Sequence, residues 1–139
     1  MTKQALVFMA PGFEEMELTI TVDILRRAGI EVNTVTLAAD KSPVKGSRNI
    51  CMLPDLCLDE ISLEKCDIAI LPGGIDGTRN LGANEKVIGF IQKMHAAGKK
   101  VAAICAAPAV LARAGLLDGR RATSHPAAAE HMAGANYCE

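Results

Sequence analysis

The sequence predicts an α/β fold in which a mainly parallel sheet is covered on both faces by helices. Short continuous apolar runs alternate along the chain with longer segments of helical period. Half of the residues are hydrophobic and only 3 % are aromatic, so the core is aliphatic and suits strands buried on both faces. The 139 residues fit one domain (1–139), with no internal repeat, low-complexity tract or linker to divide them.

Residues 4–9 (QALVFM) read as the first buried strand, broken by Ala10-Pro11-Gly12. Residues 14–28 read as a helix with Met16, Ile20, Ile24 and Ala28 on one stripe. Its first turn is acidic, its last is basic, and Gly29 is the stop signal. Residues 31–38 form the next strand, and residues 46–53 a hairpin or edge segment with Arg48-Asn49 near its turn. Residues 56–65 show no clean period. Residues 67–71 (DIAIL) are a buried strand ending in Pro72-Gly73-Gly74. Residues 85–97 form an amphipathic helix with Val87, Ile88, Ile91 and Met94 inward and Gly98 as its stop. Residues 100–104 are a strand, residues 108–115 lie in a helix, and residues 121–124 form a short strand. His125-Pro126 then opens a small-residue helix to about Met132, and residues 135–139 look like the start of another strand. The chain therefore reads as lacking C-terminal elements.

The formal net charge is −1 and no basic cluster exceeds a doublet, which argues against nucleic acid or a membrane surface as the main partner. No apolar stretch approaches the ~20 residues of a bilayer span. The five cysteines include no C-x-x-C pair and no zinc spacing. With no signal-peptide layout at the N-terminus, a reducing, cytoplasmic setting with free thiols is expected.

Cys105 is the candidate nucleophile. It closes the apolar run Lys100-Val101-Ala102-Ala103-Ile104, and a helix is expected to follow at once. A helix N-terminus presents unpaired N–H groups and partial positive charge, both of which favour thiolate. Pro108 suits a first helical turn, and the small residues Ala106, Ala107 and Ala109 leave the sulfur accessible.

Ligands of parallel sheets bind beyond the C-terminal strand ends. Pro11-Gly12, Gly73-Gly74, Cys105 and His125 are all expected on that rim. Gly73 and Gly74 free backbone N–H groups for an oxyanion. Of Glu14, Glu15 and Glu17, spread around the helix at 100° per residue, one is expected to point into the rim. A partly buried carboxyl beside a thiol tends to hold a proton and can shuttle it. His125 precedes Pro126, which biases its backbone to extended geometry, and a Cys-His pair permits base-assisted attack. Arg48 in its turn is the group an anionic substrate would need.

Taken together, Pro11-Gly12-Phe13-Glu14-Glu15-Met16-Glu17, Arg26-Arg27-Ala28-Gly29-Ile30, Ser47-Arg48, Leu71-Pro72-Gly73-Gly74, Ala102-Ala103-Ile104-Cys105-Ala106-Ala107-Pro108 and His125-Pro126 resemble the ThiJ/PfpI superfamily, nearest its branch of Parkinsonism-associated deglycases. The resemblance implies a flavodoxin-like three-layer sandwich, related to the class I glutamine amidotransferase fold. It implies a homodimer through the first helix, and Cys105 as an oxidation-prone nucleophile with Glu17 as its protonated partner. Gly74, with Gly73 and Ala106, would supply oxyanion or substrate contacts. His125 would be the third catalytic residue, and Arg48, with Arg27 of the other subunit, would edge the pocket. No metal or cofactor is implied.

The activity so implied is a cofactor-free glyoxalase and deglycase acting on methylglyoxal, glyoxal and their early adducts with amino groups, in oxidative-stress protection. The alternatives are a redox-sensing chaperone in which Cys105 oxidises to sulfinate and a less favoured cysteine peptidase. Two departures stand out. Family members continue past residue 139 with a strand and helices, so a C-terminal fragment is a candidate partner. Where the branch carries a second Cys before Pro-Asp, this chain has Leu53, with Cys51 two residues earlier.

Overall fold

The computed structural model describes residues 2–139. Five strands form one parallel sheet: β1 (Gln4–Met9), β2 (Glu31–Thr36), β5 (Leu56–Cys57), β6 (Ile68–Leu71) and β7 (Lys100–Ala103), in the order β5-β2-β1-β6-β7. The order reverses at β1, so the crevice above the C-terminal ends of β1 and β6 is the switch point where such sheets bind ligands. The short strands β3 (Val44–Lys45) and β4 (Cys51–Met52) pair antiparallel as a separate hairpin. Strands β8 (Arg121–Ala122) and β9 (Asn136–Tyr137) pair parallel in a third sheet, so the strand expected before His125 is no part of the main sheet.

β1 shows why the sheet has two covers. Ala5, Val7 and Met9 face one core with Leu18 and Val22 of α1 (Glu15–Arg27), whereas Leu6 and Phe8 face the other. The second core is filled by Val87, Ile88, Ile91 and Met94 of α3 (Glu85–Ala96) and by Val110 and Leu111 of α4 (Pro108–Arg113). The Phe8 ring meets Phe90 edge-on at 6.0 Å. Burying both faces of the central strand requires the unbroken apolar run that its sequence shows.

Four features add to the sequence reading or depart from it. α1 buries Leu18 and Val22, and the stripe of Met16, Ile20 and Ile24 faces outward at 66, 55 and 58 % exposure, because the helix turns its other side to the sheet. A helix that the sequence did not announce, α2 (Ile75–Gly82), follows Gly74. Its two glycines disfavour a helix by propensity, but a Cβ on Gly77 would lie 2.8 Å from the Phe13 Cα, so close packing selects glycine there. The helix after Cys105 does not start at once: α4 begins at Pro108, with Ala107 as its cap. The segment after His125 is a 3-10 helix, Pro126–His131, and not an α-helix.

Candidate active site

The site begins in the loop after β1. Gly12 N–H donates to the Lys45 carbonyl at 2.8 Å and Gly77 N–H to the Gly12 carbonyl at 3.2 Å, which packs the loop between the hairpin and α2. Gly12 adopts φ 84, and a Cβ there would lie 2.6 Å from the Asp76 Cβ. Glu14 caps α1 by accepting the Glu17 N–H at 2.7 Å. Its own N–H donates to the Gly73 carbonyl at 3.0 Å, tying the start of α1 to the end of β6.

The three acids then divide. Glu17 points into the rim, where its Oε2 accepts the Gly73 N–H at 2.7 Å. Glu15 turns the other way, is 6 % exposed, and accepts the Arg48 N–H at 2.6 Å. More than one acid is therefore turned inward. Glu17 is the one expected on the rim, and the same 100° spread puts position 15 about 200° away, where it needs a different partner.

Cys105 occupies a left-handed backbone conformation, φ 62, which costs a non-glycine residue about 1–2 kcal/mol. Ile104 N–H donates to the Leu71 carbonyl at 3.2 Å and Ala107 N–H to the Ile104 carbonyl at 3.0 Å, closing a tight turn that presents the thiol toward Glu17. Glu17 and Cys105 flank the same point, since a Cβ on Gly73 would lie 2.6 Å from Glu17 Oε2 and 2.7 Å from the Cys105 Cβ, and the Gly74 and Ala106 backbones also act on the sulfur. Burial, then Glu17, push the thiol above its ordinary value, and the two N–H groups pull it back only in part. The expected pull of a helix N-terminus toward thiolate is thus opposed by burial and by Glu17. The helix starts three residues later, and burial and the Glu17 carboxyl both act against the thiolate.

His125 reaches the site through its main chain, donating its N–H to the Cys105 carbonyl at 2.6 Å. Its ring Nδ1 accepts the Ala127 N–H at 3.1 Å, capping the 3-10 segment and leaving Nε2 free. Its side chain is exposed and, among the described residues, forms no hydrogen bond to Cys105 or Glu17. Among the described residues, the exposed Arg48 guanidinium meets only the Ser47 carbonyl, at 3.4 Å. Arg27 lies at the far end of α1 and pairs with Asp23 at 3.0 Å, so within one chain it does not reach Cys105. An open groove of about 630 Å³ adjoins the corner through Ala106 and is lined by Ile75, Thr78, Ala109, Ala127 and His131. Among the described residues no group of three or more His, Cys, Asp or Glu side chains is placed to hold a metal ion. Among them too, no helix is long and apolar enough to cross a membrane.

A doubly wound parallel sheet with a thiol on a strained corner, a carboxyl from α1 against it and paired glycines at the next strand end defines a class of cysteine-centred α/β domains. Residues 3–139 match the DJ-1/PfpI family, and the chain belongs to it. It is 44 % identical over 126 residues to protein dj-1beta of Drosophila melanogaster, an alignment covering 91 % of this chain and 67 % of that protein. It is 33 % identical over 129 residues to a deglycase of Pyrococcus horikoshii, covering 93 % of this chain and 76 % of the relative. The crystal structure of Drosophila melanogaster DJ-1beta superposes with a TM-score of 0.94 at 40 % identity, over 100 % of this chain and 75 % of that one. The chain thus spans about two thirds to three quarters of these proteins.

Proposed function

We propose that the protein is a thiol-dependent glyoxalase and deglycase, taking small 2-oxoaldehydes and their early adducts with amino groups. The observation that carries this reading is the meeting at one corner of the Cys105 sulfur, the Glu17 carboxyl and the Gly74 and Ala106 N–H groups. The similarity to a deglycase of Pyrococcus horikoshii supports it.

Cys105 rests as the thiol, because burial and the Glu17 carboxyl beside it oppose the thiolate. As the sulfur attacks the aldehyde carbon of methylglyoxal, the thiol proton passes to Glu17. The carbonyl electrons become an alkoxide, which the Gly74 and Ala106 N–H groups stabilise once they are released from the sulfur. The hemithioacetal C–H proton then moves to the adjacent carbonyl carbon by way of an enediol, leaving a lactoyl thioester. Water hydrolyses this to lactate and restores the thiol. Glu17 carries the proton at each transfer, and the free His125 Nε2 is the second proton carrier at the mouth. The net change is one methylglyoxal plus one water to one lactate.

The test is lactate release from methylglyoxal by the purified protein without added glutathione or metal. Turnover is expected to vanish in Cys105→Ser; turnover retained there would overturn the assignment.

A second reading rests on the same N–H groups aimed at the sulfur. They would hold the oxygens of a Cys105 sulfinate, formed as the thiolate reduces two peroxides to two waters. Selective gain of two oxygen atoms at Cys105 under mild peroxide, with negligible aldehyde turnover, would favour this redox-sensing role. The outward Met16, Ile20 and Ile24, with Leu53 beside α1 at 72 % exposure, support a homodimer through the first helix. Ile20→Glu is expected to shift a sedimenting dimer to monomer.

A further inference from the structure

We infer that Glu15, which takes no part in the proposed proton transfers, is a positioning residue that locks the first turn of α1 to the 46–48 turn and thereby sets where the Glu17 carboxyl meets Cys105. This rests on the reading of Cys105 and Glu17 as the reacting pair.

Glu15 is the one charged side chain among the buried residues described. A carboxylate taken out of water must be paired or hydrogen-bonded. Its partners all come from one turn: the Arg48 N–H reaches its two oxygens at 2.6 and 3.1 Å, and the Ser47 hydroxyl reaches Oε1 at 3.4 Å. The turn is built to receive it. Asn49 takes φ 65 and donates its N–H to the Gly46 carbonyl at 3.0 Å, while Gly46 N–H donates to the Ile50 carbonyl at 2.9 Å. A Cβ on Gly46 would overlap the Glu15 carboxyl carbon and oxygen, so glycine leaves the slot open. The backbone straps the same two segments together, with Ser47 N–H donating to the Phe13 carbonyl at 2.8 Å.

Residues 12–17 are thus held on one side by the 46–48 turn and on the other by Gly73. Glu15 and Glu17 share a helical turn, so rotation at one is rotation at the other. The Glu17 end has little slack, since a Cβ on Gly73 would lie 2.6 Å from Glu17 Oε2 and 2.7 Å from the Cys105 Cβ. Glu17 is the charged side chain acting on the sulfur, and His125, from the segment packed against it, meets Cys105 through its main chain.

The experiment follows alkylation of Cys105 by iodoacetamide against pH, read at that residue by peptide mass spectrometry, in the whole chain and in Glu15→Gln, Glu17→Gln, the double variant and Gly46→Ala. Glu17→Gln removes a carboxylate that holds the thiol up, so its midpoint moves down. Glu15→Gln and Gly46→Ala, which press on the clamp from its two sides, are expected to move the midpoint the same way by a smaller amount. Glu15→Gln should add nothing once Glu17 is Gln. A purely structural role lowers thermal stability without moving the midpoint. Folded Glu15→Gln and Gly46→Ala with the unaltered midpoint, or shifts that add in the double variant, overturn the inference. Retained lactate formation in Cys105→Ser would instead overturn the proposed function, and the midpoints would still report the coupling.

Discussion

Gly73 donates its N–H to Glu17 Oε2 at 2.7 Å, and a Cβ on Gly73 would stand 2.6 Å from that same oxygen. The hydrogen bond that orients the carboxyl is therefore available only because residue 73 has no side chain. Carboxyl, glycine and thiol form one fitted unit, drawn from α1, the end of β6 and the end of β7.

Gly73→Ala tests that fit. The new methyl must displace Glu17 or the Cys105 turn, neither of which has free volume, and the expected loss of stability is about 1–3 kcal/mol. Turnover of methylglyoxal should fall well beyond what the stability loss explains. Thermal melts together with lactate assays check this, and unchanged turnover in a folded variant would contradict the geometry.

The corner itself stores strain. Glycine adopts φ near 60° without penalty, whereas alanine and cysteine do not. Cys105→Gly should therefore be more stable than Cys105→Ala by about 1 kcal/mol, although both lack the sulfur. Denaturant unfolding of the two variants measures the difference. Equal stabilities would show that the left-handed conformation is not kept in solution.

Two thiols predict an alkaline limit. Burial pushes Cys66 above the ordinary 9.0, and burial with the Glu17 carboxylate does so for Cys105. A raised folded value means that the folded state holds the proton longer than the unfolded chain. The stabilisation is present in full below the unfolded value and is lost as pH rises through the folded ones. Melting temperature should decline above about pH 9, and less steeply in Cys66→Ala, at a cost of about 1 kcal/mol near neutrality.

The acid side is read at Glu60. The Lys41 ammonium at 2.9 Å, with the Cys57 N–H at 2.8 Å and its thiol, lowers the Glu60 carboxyl from 4.5 to about 2. A depressed folded value gives stability that is present above 4.5 and is lost as pH falls toward 2. The group is solvent-exposed, so the effect should be small and screened by salt. Glu60→Gln should flatten the acid limb of the melting curve at low ionic strength, and an unchanged limb would refute the pairing.

Local signals made much of this chain legible. β1 and β6 are continuous apolar runs, and α3 announces its buried face in Val87, Ile88, Ile91 and Met94, all of which are buried, whereas β5 lies in the stretch without a clean period. Cys105, Gly73-Gly74 and Glu17 were picked out by residue type at strand ends and on the first helix, and the structure brings them together. The rest is where packing outweighs pattern. The stripe of Met16, Ile20 and Ile24 is legible as one helix face, and only packing decides that this face turns outward. α2 hides behind glycines that are there for close approach to Phe13.

The order of residues alone determined the layered α/β plan, the candidate thiol and the acidic turn beside it, because burial period and turn chemistry are local properties. Tertiary structure decided which groups act on that thiol and the division of labour between Glu15 and Glu17. Both depend on which groups from distant segments come within hydrogen-bond distance. At Cys105, burial and the Glu17 carboxyl push the thiol up against the pull of two backbone N–H groups.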